Sequence, residues 1–203
     1  KNNLERYRAK IEEIPEDDIS PVPPEIGVPI TEKLAYISNE ELSDMYTSLL
    51  AKASSKVNAD QAHPGFVSII DRLSPDEAIL IKKFTREVYI PFIEVKLKYL
   101  DGRTYPQKKL AIHERFYNGL QQPQNVPAYL TNLNALGIIE IRYDCHDSRA
   151  ELYPPLMQYH EAAFKHHLGA GMSIESDKNV IIITPIGKLF IKACFTKLEP
   201  NAT

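Results

Sequence analysis

Five prolines in seventeen residues constrain this chain more than any other feature. The stretch "IPEDDISPVPPEIGVPI", residues 14–30, holds Pro15, Pro21, Pro23, Pro24 and Pro29. Each removes a backbone donor and pushes the residue before it toward extended geometry, so the stretch reads as a strap. A plain linker would be polar, yet Ile14, Ile19, Val22, Ile26, Val28 and Ile30 run through this one. The strap is therefore expected to lie against a packed surface.

Helical patterns flank it. "KNNLERYRAKIEEIP" is in helical rhythm from its first residues, with Leu4, Tyr7 and Ile11 in register and no initiating Met or cap, which reads as a trimmed beginning. "SNEELSDMYTSLLAKASSK", residues 38–56, carries a capping pattern of Ser38 and Glu41 ahead of an apolar face of Leu42, Met45, Tyr46, Leu49 and Leu50. "HPGFVSIIDRL" repeats the period with Phe66, Ile69, Ile70 and Leu73. It ends at "SPDEAILIKKFTREVY", where Ser74 caps, Pro75 takes the first helical position, and Asp76 and Glu77 favour the positive end of the helix dipole. These segments predict an N-terminal helical region with a Pro-rich strap over residues 1–75.

From 88 to 110 the pattern loosens. Val95, Leu97 and Tyr99 alternate with period two before an Asp101-Gly102 turn, which fits a short hairpin or irregular insertion. "KKLAIHERFYNGL" then reads as a helix, with Leu110, Phe116, Tyr117 and Leu120 inward. In "QPQNVPAYLTNLNALGIIEI", residues 122–141, Val126, Tyr129, Leu130, Leu133 and Leu136 mark a buried helical face. Gly137 stops that helix and a strand follows. A second strand, Val180–Ile183, leads through Thr184-Pro185 into a terminal helix. Helix, strand, excursion, strand and helix together predict a winged-helix-like region over 76–198 with an enlarged wing at about 143–179, then a tail at 199–203. The fold class expected is mainly α with some β, an α+β chain. Inside the wing a helix is expected from Leu156 to Leu168.

Chemistry is sparsely signalled. "HEAAFKHH" lacks a metal-binding spacing, because Phe164 holds the second ligand position and His160 lies about 10 Å along the axis from His167. Cys145 and His146 are sequence neighbours in an extended segment, whose side chains point to opposite faces, so they make no working nucleophile and base. Cys145 and Cys194 form no disulfide or metal pattern and are expected reduced. Asp17-Asp18 reads as a solvated strap, and Asp76-Glu77 as a helix's first turn. No phosphate loop, dinucleotide fingerprint or nucleophile elbow is present among only eight glycines. Neither catalytic residue, metal nor cofactor is expected.

Charge separates two functional classes. Net charge is −3, and from Phe116 to Ile141 the only charged residue is Glu140. A groove-entering helix without cations cannot anchor phosphates, which disfavours DNA. Gln122, Gln124, Asn125 and Asn132 on that segment, alongside Thr131 and Asn134, suit contacts with another protein better. The alternative is a DNA-binding transcriptional regulator whose phosphate contacts come from the basic stretch 82–115 and the wing, with Lys96, Lys98, Arg103, Lys108, Lys109, Arg142 and Arg149 as candidates. No apolar run reaches the roughly 20 residues needed to cross a bilayer, and the chain reads as cytoplasmic.

"NEELSDMYTSLLAKA", "HPGFVSIIDRLSPDEAILI" and "IITPIGKLFIKAC", together with the proline-rich approach, resemble the abortive infection alpha family from about Ile14 to Cys194. His63-Pro64-x-Phe66 and Thr184-Pro185-x-Gly187-Lys188-x-Phe190 carry the likeness most specifically. The resemblance implies a prokaryotic or phage intracellular protein tied to defence against infection, with no catalytic residues to carry over. Residues 88–125 and the wing insertion match no motif of that family. The function expected is a non-enzymatic interaction protein that binds a protein partner or itself as a homo-oligomer.

Overall fold

The computed structural model describes residues 3–99, 101, 103–158, 168, 169 and 171–199, the side chains of 104–109 excepted. The chain is mixed α+β. Its helices are α1 (Asn3–Ile11), α2 (Pro24–Leu34), α3 (Glu40–Ala53), α4 (Gly65–Asp71), α5 (Pro75–Phe84), α6 (Val126–Ala135) and α7 (Pro185–Phe195). Its strands are β1 (Tyr89–Tyr99), β2 (Thr104–Ile112), β3 (Ile139–Arg142) and β4 (Met172–Ile183), in one antiparallel sheet of order β2-β1-β4-β3. Two compact units emerge: Lys1–Thr85 with Pro185–Thr203, and Arg86–Thr184. These limits differ from the division at 75/76 drawn from the sequence.

The first unit is helical and centres on α3, which packs against α1, α2, α4, α5 and α7. Ten of its fourteen residues are buried, far more than one apolar stripe requires. Small polar side chains make this possible by bonding inward, as when Thr47 Oγ1 donates to the Ser43 carbonyl at 2.9 Å. The cap is Asn39, not Ser38: the Asn39 side chain accepts from the Leu42 N–H at 3.0 Å. Ser74 caps α5 as expected, and Glu77, read from the sequence only as a dipole partner, closes a capping box with it.

The strap is only partly extended. From Pro24 it becomes α2, with Pro29 inside the helix. Pro24 sits at the first position, where no donor is needed. Pro29 forfeits one helical bond, a cost of about 3 kcal/mol. Burial of Ile26, Ile30 and Leu34 on one helical stripe offsets it, at about 1.5–3 kcal/mol each. Asp18 is buried rather than solvated: it accepts from Ser55 Oγ at 2.5 Å and from the Val57 N–H at 2.9 Å. The helix α1 also departs from expectation, because none of its residues is buried and Leu4 is 60% exposed. It is held by polar contacts instead. Tyr7 Oη lies 2.9 Å from Ser54 Oγ, Lys10 pairs with Asp44 at 2.9 Å, and Asn3 Nδ2 donates to the Leu34 and Ile37 carbonyls.

In the second unit β1 and β2 form a long hairpin, and β1 pairs with β4 along its whole length. β4 begins at Met172, eight residues before the strand read from sequence, because period-two alternation is masked there by polar residues on both faces. The helix expected from Lys108 is instead the end of β2 followed by a 3-10 turn at Glu114–Phe116. Pairing of Ala111 with Ile93 and of Ile112 with Phe92 overrides the local helical spacing. One sheet face buries Ile93, Val95, Leu97 and Ala111 under Tyr153 and Leu156. Helix α6 packs against β2 and β3, and Gly137, at φ +74, turns the chain from it into β3. Residues 154–158 are helical; the remainder of the helix expected to Leu168, including His160 and His167, lies outside the described residues up to 167.

Candidate functional site

Antiparallel pairing places every second residue of β1 and β4 on one face. Glu94, Lys96 and Lys98 therefore stand beside Asp177 and Glu175. Lys96 is hydrogen-bonded to Asp177 and lies 3.6 Å from Glu94, while Lys98 pairs with Glu175 at 3.0 Å. The Asp177 carboxylate, then Glu94, raises the Lys96 ammonium above its ordinary range. At the β1–β2 turn Arg103 pairs with Asp101 at 2.7 Å, which lowers the Asp101 carboxyl. The side chains of Lys108 and Lys109 lie outside the described residues; their backbones stand opposite Lys96 and Val95.

Arg142 and Arg149 meet at a second place. They line an open depression of about 670 Å³ with Val88, Tyr89, Val180, Ile182 and the segment Cys145–Ser148. The floor is apolar and the rim ionic. Arg142 pairs with Asp144 at 2.6 Å, and Arg149 with Asp147 at 2.7 Å. Each guanidinium holds its carboxyl down at about 2, helped at Asp144 by backbone hydrogen bonding and the Cys145 thiol, and at Asp147 by a backbone N–H. Tyr153 fixes this rim to the sheet: its hydroxyl accepts from the Asp147 N–H at 2.8 Å and donates to the Asn179 carbonyl at 3.1 Å. Val88 is 77% exposed and Tyr89 48% exposed at the edge. The thiol of Cys145 is exposed, whereas burial pushes that of Cys194 well above its usual range.

The polar residues around α6 are distributed differently. Gln124 and Asn125 sit exposed in the 3-10 turn that precedes the helix and Gln122, also exposed, just ahead of it, with Gln124 Nε2 donating to Gln122 Oε1 at 2.5 Å. Asn132 is half-buried on the helix. Asn134 Oδ1 accepts from the Ile141 N–H at 3.0 Å, and Thr131 Oγ1 donates to the Pro127 carbonyl at 2.9 Å. Both are thus engaged within their own unit.

Sequence reasoning did not bring Val88, Tyr89, Val180 and Ile182 together with residues 145–149, because strand pairing alone makes them neighbours. It also passed over Lys52, which is 1% exposed and donates from Nζ to the Lys197 carbonyl at 2.6 Å and to Asn58 Oδ1 at 3.2 Å. Burial lowers its ammonium below the ordinary lysine range. A signal existed, since Lys52 falls on the stripe of Met45 and Leu49, where a charge must find a partner.

Among the described residues no group of three or more His, Cys, Asp or Glu side chains is arranged to hold a metal, and no helix is long and apolar enough to cross a membrane. No curated protein matches the chain. A solved structure of an uncharacterized protein from the hydrocarbon-degrading marine bacterium Alcanivorax borkumensis SK2 is similar over 64% of this chain and 92% of that one, at 19% identity and a TM-score of 0.38. The family model for abortive infection alpha matches residues 1–194. With nearly the whole length matched, this chain belongs to the abortive infection alpha family.

Proposed function

We propose that the protein serves in phage defence in the cytoplasm as a non-enzymatic interaction protein, gripping another protein or a second copy of itself. One observation carries this reading: Lys96, Lys98, Arg103, Arg142 and Arg149 each hold a carboxylate of their own unit. A duplex would have to displace those carboxylates before its phosphates gained anything, whereas a protein partner can add to the existing pairs. The exposed Val88 and Tyr89 beside an apolar floor fit a protein contact, since interface centres favour aromatic anchors ringed by polar groups. In this reading Gln122, Gln124, Asn125 and Asn132 supply a second polar contact surface.

The winged-helix-like reading of residues 76–198 rests on the succession of α6, β3, β4 and α7, with the segment between the two strands in the place of a wing. It supplies a scaffold, and the scaffold alone does not confer DNA binding. Light scattering on the purified protein from about 1 to 100 µM, with affinity capture from infected and uninfected cells, tests the proposal. Self-association, or a partner whose capture is lost in a Tyr89→Ala variant, supports it. A monomer throughout, with no Tyr89-dependent partner, contradicts it.

A further inference from the structure

The last described segment, Lys197–Glu199, lies on the surface of the first unit and is gripped through its backbone. Asn58 reads one residue from both sides: its Oδ1 accepts from the Glu199 N–H at 2.9 Å, and its Nδ2 donates to the Glu199 carbonyl at 3.2 Å. Lys52 Nζ donates to the Lys197 carbonyl. Glu199 is also recognised by its side chain, with Oε1 3.0 Å from Lys192 Nζ and Oε2 accepting from Gln61 Nε2 at 3.4 Å.

The asymmetry of burial is informative. Lys52, Asn58 and Gln61 are all at most 2% exposed, whereas Lys197 and Glu199 are exposed and Leu198 is half-buried. The segment therefore contributes little apolar burial, and the groups beneath it are polar ones kept out of water. Gln61 Oε1 is buried with no hydrogen-bond partner, so the receptor side is not fully satisfied even with the segment in place. Beside this grip Thr196, Lys197 and Leu198 roof a cavity of about 210 Å³ that Lys10, Asp44, Ser48 and Lys52 also line. A segment that only closed the core would bury apolar side chains; this one presents its backbone to a set of buried donors and acceptors.

We propose that Lys52, Asn58 and Gln61, with Lys192, form a peptide-binding site for an extended segment with an acidic residue, which the chain's own Lys197–Glu199 occupies in cis. Recognition of main-chain N–H and C=O makes the site tolerant of sequence at Lys197 and Leu198 and selective at the acidic position. A peptide presented in trans competes with the resident segment, whose tethering gives it a high effective concentration. The site lies within the first unit and does not depend on a role in defence.

The test uses a fluorescent peptide of residues 196–203, TKLEPNAT, titrated by anisotropy against the full chain. In the Glu199→Ala chain the resident segment is weakened, and the peptide is expected to bind about threefold to fivefold tighter than to the unaltered chain, the scale of a partly exposed ion pair. Adding Asn58→Ala should abolish that binding. A peptide with its own Glu changed to Ala should bind the Glu199→Ala chain about threefold to fivefold more weakly, a comparison that leaves the protein untouched should the Asn58 variant fail to fold. Equal binding to the unaltered and Glu199→Ala chains, or indifference to the peptide's Glu, would overturn the proposal.

Discussion

The two units handle polar groups in opposite ways. The helical unit buries them, placing Asp18, Lys52, Asn58 and Gln61 under the surface with specific partners. The sheet unit keeps most of its charges at the surface, where Lys98 and Arg142 neutralise the exposed carboxylates of Glu175 and Asp144. The physical consequence differs in kind. A buried group costs its full desolvation when its partner is lost, so it fixes geometry; an exposed ion pair is screened and fixes little, but it cancels the field a polyanion would follow.

Core truncation should give the largest effect. Phe66 is fully buried with its ring edge-on to Phe190, the centroids 5.2 Å apart, and Phe66→Ala is expected to cost about 3–5 kcal/mol in urea denaturation. A Phe92→Ala change in the sheet unit should cost a similar amount, since apolar burial does not distinguish the units. The contrast sharpens at polar sites. Asp18→Ala removes the acceptor for Ser55 Oγ and the Val57 N–H, and should destabilise by about 2–3 kcal/mol by the same measurement. Lys98→Ala on the sheet should change stability by only about 0–1 kcal/mol. If the two polar substitutions cost the same, the comparison between buried and exposed polar groups fails.

The smallest effect concerns pH. Asp144 and Asp147 are held at about 2, below the ordinary 3.8, so their pairing contributes fully above the ordinary carboxylate range and is lost as pH falls through about 2. Carboxyl chemical shifts followed by NMR should show both midpoints near 2. Midpoints in the ordinary range would mean that Arg142 and Arg149 are free to meet other anions.

Local signals were legible in the sequence where one residue decides the outcome. Ser74 gave the cap of α5, Gly137 gave the helix stop, and the alternation of Val95 and Leu97 gave a strand with one buried face. Proline was misleading in α2, because its local preference competes with the burial of Ile26, Ile30 and Leu34, which depends on what those residues meet. The same competition turned Lys108–Ile112 into strand. The candidate sites were less legible. A basic stretch in sequence gives no sign of which carboxylates will stand across from it, and the partners of Lys96 and Lys98 come from β4, some 77–81 residues away. The grip on Glu199 likewise joins residues 141 apart.

The central claim is that Lys96, Lys98, Arg103, Arg142 and Arg149 of the second unit are already spent on carboxylates of that unit. Duplex DNA binding followed by anisotropy between about 50 and 200 mM salt tests it most directly. The account predicts no binding tighter than micromolar even at the lowest salt, and no gain in Asp144→Asn or Asp177→Asn beyond what one unmasked cation supplies, a salt slope of about −1. Sub-micromolar affinity in the unaltered protein, falling about a thousandfold across that range, would contradict it.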